Sequence, residues 1–77
     1  MEKSKYPLEI VLARSLTAIR NKRNITPEQL AKHAGVGSKV IEDIEEERYT
    51  PNLITLIRIA RALRCSLNDL LPMDEIK

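Results

Sequence analysis

The sequence predicts an all-α fold of five short helices, and three observations carry that expectation. Residues 27–46, PEQLAKHAGVGSKVIEDIEE, place small, apolar and glycine positions where two short helices joined by one tight turn need them, the signature of a helix-turn-helix. Thr26 with Gln29, and Ser66 with Asp69, have the spacing of capping boxes and so mark helix starts. The chain lacks Phe and Trp and has only Tyr6 and Tyr49 as aromatics, which leaves Leu, Ile, Val and Ala to build the core and suits a small helical bundle.

The first helix is expected over residues 8–23. Pro7 suits its start, Leu12, Ala13, Leu16 and Ile19 form one apolar stripe, and Asn24 stops it. Thr26 caps the second helix, with Pro27 at the first helical position. Leu30, Ala31 and Ala34 give it an apolar edge, and Ala31 is small enough for another helix to cross closely. Gly35 is the expected corner, because a left-handed backbone costs other residues about 1–2 kcal/mol and glycine almost nothing. Val36, Ile41 and Ile44 return to the same core. The third helix then begins near Ser38 and turns Ser38, Lys39, Glu42, Asp43 and Glu46 outward.

Residues 48–51 read as a loop, after which Asn52 caps a fourth helix with Leu53, Leu56, Ile59, Ala60 and Leu63 facing inward. Arg58, Arg61 and Arg64 lie outside that stripe. Ser66 opens a short fifth helix through Leu67, Leu70 and Leu71, which Pro72 helps to end. Residues 1–5 and 74–77 read as short tails.

With 77 residues the chain is expected to be a single domain, core about 8–72 and helix-turn-helix 27–46, near the size at which one core is only marginally sufficient. Cys65 is the only cysteine, so no intrachain disulfide and no Cys/His zinc set is available, and a reducing cytoplasm is the natural setting. No segment has a signal-peptide pattern or the ~18 apolar residues that span a bilayer, which points to a soluble, unexported protein with no membrane role. Charge is unevenly distributed: residues 1–25 carry six basic and two acidic groups, 37–47 one and five, and 48–64 four arginines and no acid. Basic flanks around an acidic middle suit phosphates on either side of a recognition helix, or a solvated surface of mixed charge.

The pieces ITPEQLAKHAGVGSKVIEDIE, RYTP, TLIRIARAL and SLNDLL stand in the order and at the separations of the phage repressor and Cro-type helix-turn-helix family, often called the XRE family, which the chain resembles over residues 12–71. The resemblance implies a five-helix, lambda-repressor-like DNA-binding domain that works as a twofold homodimer on a palindromic operator, with the third helix in the major groove of double-stranded DNA. It implies a bacterial or phage-encoded protein, associated with the nucleoid when bound. Ser38, Lys39, Glu42 and Asp43 match the family's base-reading surface. Lys39 can donate to guanine O6 or N7, Asp43 or Glu42 can accept from cytosine N4, and Ser38 reaches a base or a phosphate. Thr26, Gln29 and Lys32 are candidates for the adjoining phosphates, as are Arg48 and Tyr49, although Thr26 also serves as a cap and Tyr49 can cover the core edge. Arg20 and Glu45 match a structural ion pair of the family. The chain departs from the family pattern at Pro27, where relatives usually carry Gln, at Gly37 in place of a Ser or Thr cap, and at Asn24, Glu47 and Arg64, where helix-ending glycines are common.

Three functional classes remain to be weighed. The leading one is a sequence-specific transcriptional regulator acting by occupying promoter DNA. Leu67, Leu70, Leu71, Met73 and Ile76 hold more apolar surface than one small core needs and are the expected dimer seam, unless Met73 and Ile76 fold back on their own chain. The alternative is a protein-interaction module, such as an antitoxin or anti-regulator, whose acidic third helix meets a protein partner. An enzyme is not expected: no P-loop, nucleophile with base, or paired carboxylate is present, His33 reads as an exposed polar residue, and no cofactor is implied.

Overall fold

The computed structural model describes residues 6–76. Five α-helices follow in order: α1, Leu8–Lys22; α2, Pro27–Ala34; α3, Ser38–Glu45; α4, Leu53–Leu63; and α5, Leu67–Leu70. A 3₁₀ turn at Met73–Glu75 comes last. α2 lies between α3 and α4, while α1 packs on α3 and α5. Among the described residues no helix is long and apolar enough to cross a membrane.

The core is aliphatic and draws on every helix. Leu12 and Leu16 from α1, Leu30 from α2, Ile41 and Ile44 from α3, Ile59 and Leu63 from α4, and Leu70 from α5 are all fully buried. Each such side chain contributes about 1.5–3 kcal/mol through burial. Ala31, Ala34 and Ala60 fill the remaining close approaches. Local capping agrees with the sequence. The Thr26 hydroxyl accepts from the Gln29 amide at 3.1 Å and the Thr26 amide donates to Gln29 Oε1 at 2.9 Å. Ser66 and Asp69 make the same reciprocal pair, and Asn52 Oδ1 accepts from the Thr55 amide at 2.9 Å.

α1 to α4 all terminate in the same way. A left-handed residue, Asn24, Gly35, Glu47 or Arg64, follows each helix. The next amide, of Ile25, Val36, Arg48 or Cys65, donates to the carbonyl five residues back, and the left-handed residue's own amide donates three back. Gly35 holds φ 74° where an added Cβ would meet nothing within 4 Å, so glycine serves the backbone angle there and not a lack of room. Three of the residues after these turns, Ile25, Val36 and Cys65, pack against the core. The fourth, Arg48, is exposed and charged.

Two expectations need correction. Leu53 was expected inward but is 61% exposed, with Ile54 63% exposed beside it and Ile57 also open. Its position keeps the direction of the Leu56–Ile59–Leu63 stripe, but at the first residue of α4 the described residues leave the side chain uncovered. The segment after Pro72 is also more than a tail. It forms the 3₁₀ turn, and Ile76 bridges in parallel to Tyr6, whose amide donates to the Glu75 carbonyl at 3.0 Å. The Arg14 guanidinium lies 4.8 Å above the Tyr6 ring, fixing this edge to α1. The expected tail at residues 1–5, and Lys77, lie outside the described residues.

Candidate nucleic-acid interface

Three features hold α3 with one face outward. Gly35 turns the chain sharply after α2, Val36 anchors the connection on the core, and Gly37 in extended conformation starts α3 at Ser38 without a side-chain cap. Ile41 and Ile44 then fix the inward face. The inward face also carries Glu45, where Arg20 Nε donates to Oε2 at 2.6 Å and Arg20 Nη2 to Oε1 at 3.0 Å. A third donor, Nη1, reaches the Ile25 carbonyl at 2.7 Å. One arginine thus ties α1 to the end of α3 and to the turn before α2. The hydrogen bonding of Arg20 to the Glu45 carboxylate raises the Arg20 pKa above its ordinary value, against a smaller opposing effect of burial.

The outward face carries the candidate base readers. Lys39 is exposed, while Ser38, Glu42 and Asp43 are half-buried. Lys39 Nζ donates to Asp43 Oδ1 at 3.3 Å, and Arg48 Nη2 donates to the same oxygen at 3.0 Å. Arg48 Nη1 also pairs with Glu46 Oε1. The hydrogen bond from Arg48, more than that from Lys39, holds the Asp43 carboxyl below the usual carboxylate range, and the Asp43 partner in turn raises Arg48. Two of the four candidate base readers, Lys39 and Asp43, therefore form one cluster with the candidate phosphate contact Arg48, while Ser38 and Glu42 stand outside it.

The other expected residues are dispersed. Thr26 and Gln29 are engaged in the capping box at the start of α2, with the Gln29 amide nitrogen left to donate. Tyr49 is exposed in the loop after α3. Lys32 stands apart from this surface. With His33, Arg58, Arg61 and Arg64 it lines an open groove of about 490 Å³ between α2 and α4, in which no acidic residue takes part. Sequence reasoning placed those arginines outside the apolar stripe but did not bring them together with Lys32, because no local signal reports which helices will lie side by side.

The expected apolar seam is divided. Leu70 is fully buried in the core and has no surface left for a partner, and Leu67 and Leu71 pack against the same core. Ile76 folds back onto Tyr6, while Met73 remains 69% exposed. The apolar surface that periodicity missed is Leu53, Ile54 and Ile57 on α4. Cys65 is a half-buried free thiol at the core edge, its pKa raised mainly by burial and also by the Asp69 charge, with Arg23 opposing. Among the described residues no group of three or more His, Cys, Asp or Glu is placed to hold a metal ion.

Comparison with known proteins places this geometry in context. The pattern of the helix-turn-helix family matches residues 16–70. Control protein C.SmaI of Serratia marcescens is 34% identical over 67 residues, which cover 87% of this chain and 80% of that protein. The immunity repressor protein of Bacillus phage phi105 is 39% identical over 54 residues, 70% of this chain, and the match spans only 38% of the repressor's length. The crystal structure of the P22 c2 repressor in complex with a synthetic operator superimposes with a TM-score of 0.73 at 32% identity, over 78% of this chain and 91% of that one.

Proposed function

The chain belongs to the helix-turn-helix family, and from that premise we propose that it is a sequence-specific transcriptional regulator that binds double-stranded operator DNA as a homodimer, with α3 in the major groove. The observation that carries this reading is the fixed outward presentation of α3. Gly35 and Arg20 hold the helix from two sides, while Ser38, Lys39, Glu42 and Asp43 lie outside the buried stripe of Ile41 and Ile44. A similar domain, that of the P22 c2 repressor, is seen on a synthetic operator. Phosphate contacts fall to Arg48, Tyr49 and Gln29, which flank α3 on both sides.

Dimerisation is assigned to α4 in this reading. Leu53 and Ile57 are four residues apart and Ile54 and Ile57 three, so the three share one exposed face at the start of the helix. A twofold pairing of that face buries it and sets two copies of α3 at a fixed spacing. Ile54→Glu is expected to give monomers by sedimentation with weakened DNA binding, and an unchanged dimer mass would remove α4 from the seam.

A protein-interaction role for an acidic α3 is disfavoured by the pairing of its acids. Glu45 is engaged by Arg20, Asp43 by Lys39 and Arg48, and Glu46 by Arg48, so that among the described residues only Glu42 and Glu47 of this acidic run have no ion pair. The test is selection from random duplex DNA at near-physiological salt with excess competitor. An enriched inverted repeat with half-sites about one helical turn apart supports the dimeric reader. A folded protein that enriches no motif overturns it.

A further inference from the structure

The arrangement of charge on α3 is poorly explained by the stability of the helix. Its one cation, Lys39, sits in the first turn and its acids in the last, the reverse of what the helix macrodipole favours. The Lys39–Asp43 pair has lysine on the N-terminal side, the weaker order for an i,i+4 pair. The turn that ends α3 also differs from those that end α1, α2 and α4. There the residue after the left-handed position is Ile25, Val36 or Cys65 and packs on the core, whereas here it is Arg48, and its side chain reaches back to Asp43. Both cations meet the same oxygen, Asp43 Oδ1, and no hydrogen bond from the described residues engages Oδ2.

We propose that Asp43 is a specificity-determining residue that works by withholding Lys39 and Arg48 from DNA until a matching base replaces them. The proposal rests on the operator-binding reading above. Over an arbitrary sequence, Asp43 keeps both cations and sets its own negative charge against the acceptor edges of guanine and thymine. At a position that presents a cytosine amino group, the open Oδ2 accepts from N4 and draws charge away from Oδ1. A neighbouring guanine acceptor then competes with Oδ1 for Lys39, and a phosphate for Arg48. Asp43 thus couples one base contact to two others, and discrimination exceeds what a single acceptor supplies.

The experiment measures binding of random-sequence duplex by fluorescence anisotropy between about 50 and 200 mM salt, for the wild-type chain, Asp43→Asn and Glu47→Gln. The two variants remove the same formal charge, but Glu47 touches neither cation, so it reports simple loss of repulsion. Asp43→Asn is expected to bind several-fold more tightly than Glu47→Gln, and its dependence of log K on log salt should steepen by about 0.9 for each released phosphate contact. In the duplex selection it should also lose preference at the position where the wild-type chain requires cytosine. Equal affinities and slopes for the two variants would overturn the withholding role while leaving operator binding intact. Absence of DNA binding by all three proteins would overturn both the proposal and the reading beneath it.

Discussion

α3 carries two arginine–carboxylate systems on opposite sides, and the contrast between them is set by burial. On the inward side Arg20 and Glu45 are each 13% exposed by side chain, meet through two hydrogen bonds, and have a third anchor at the Ile25 carbonyl. On the outward side Lys39 is 76% exposed and Arg48 57%, and both share one oxygen of Asp43. Glu45 and Asp43 are only two residues apart, about 200° around the helix. The inner pair is screened from water and holds the helix in place, so removing one partner strands a charge. The outer cluster sits in high dielectric, adds little to stability, and can exchange its partners for others. Similar groups thus hold α3 on one side and stand open to solvent on the other.

The comparison predicts its largest effect on the inner side. Arg20→Met should lower stability by about 3 kcal/mol, a large part of what a domain this size has, because Glu45 keeps its charge in a half-enclosed site without a partner. Urea denaturation should show a lower midpoint with an unchanged slope. The double variant Arg20→Met/Glu45→Leu should recover most of the loss, since an apolar pair of similar volume avoids the stranded charge. If the single variant is as stable as the wild type, the inner pair is no different from the outer one and the contrast fails.

The next effect falls on the turn that joins the two sides. Glu47 holds φ 65° two residues after the end of α3, where glycine avoids about 1 kcal/mol of strain. Glu47→Gly should therefore raise the melting temperature by about 4–8 °C while leaving the Arg48 amide bonded to the Asp43 carbonyl. A fall in melting temperature would mean that the glutamate side chain offsets the strain through a contact of its own.

The Glu47 turn and the Arg20–Glu45 pair were legible for different reasons than the capping boxes. The left-handed residues Asn24, Glu47 and Arg64 were legible because they stand where the family the chain resembles often has helix-ending glycines. The capping boxes at Thr26 and Ser66 were legible because they are complete within four residues. The Arg20–Glu45 pair came from the resemblance alone, since 25 residues separate its members. What could not be read depended on how far elements reach past one another. Leu53 has the periodicity of a core residue but no neighbour to cover it, and Leu70, expected at a surface seam, is taken up by the core. Lys32 meets the α4 arginines only because α2 lies along α4. That Arg48 would pair within the acidic run was legible from charge alone, but not that Asp43 Oδ1 would be shared with Lys39, since only the turn geometry brings the three side chains together.

The smallest effect separates the two systems by pH. The hydrogen bond from Arg48 lowers the Asp43 pKa, so the outer cluster's contribution is present above the ordinary carboxylate value and lost as pH falls through the lower folded-state value. The Arg20 pKa is raised, so its contribution is complete below the ordinary arginine value and survives acidification unchanged on the arginine side. Asp43→Asn removes only the titrating member of the outer cluster. The small melting-temperature difference between wild type and Asp43→Asn should therefore hold steady from neutral pH down to the carboxylate range and close as pH falls through the lowered Asp43 value. A difference that stays constant over that range would mean that Asp43 and Arg48 do not hold each other in solution, and the outer face of α3 would then present its cations to DNA without any internal competitor.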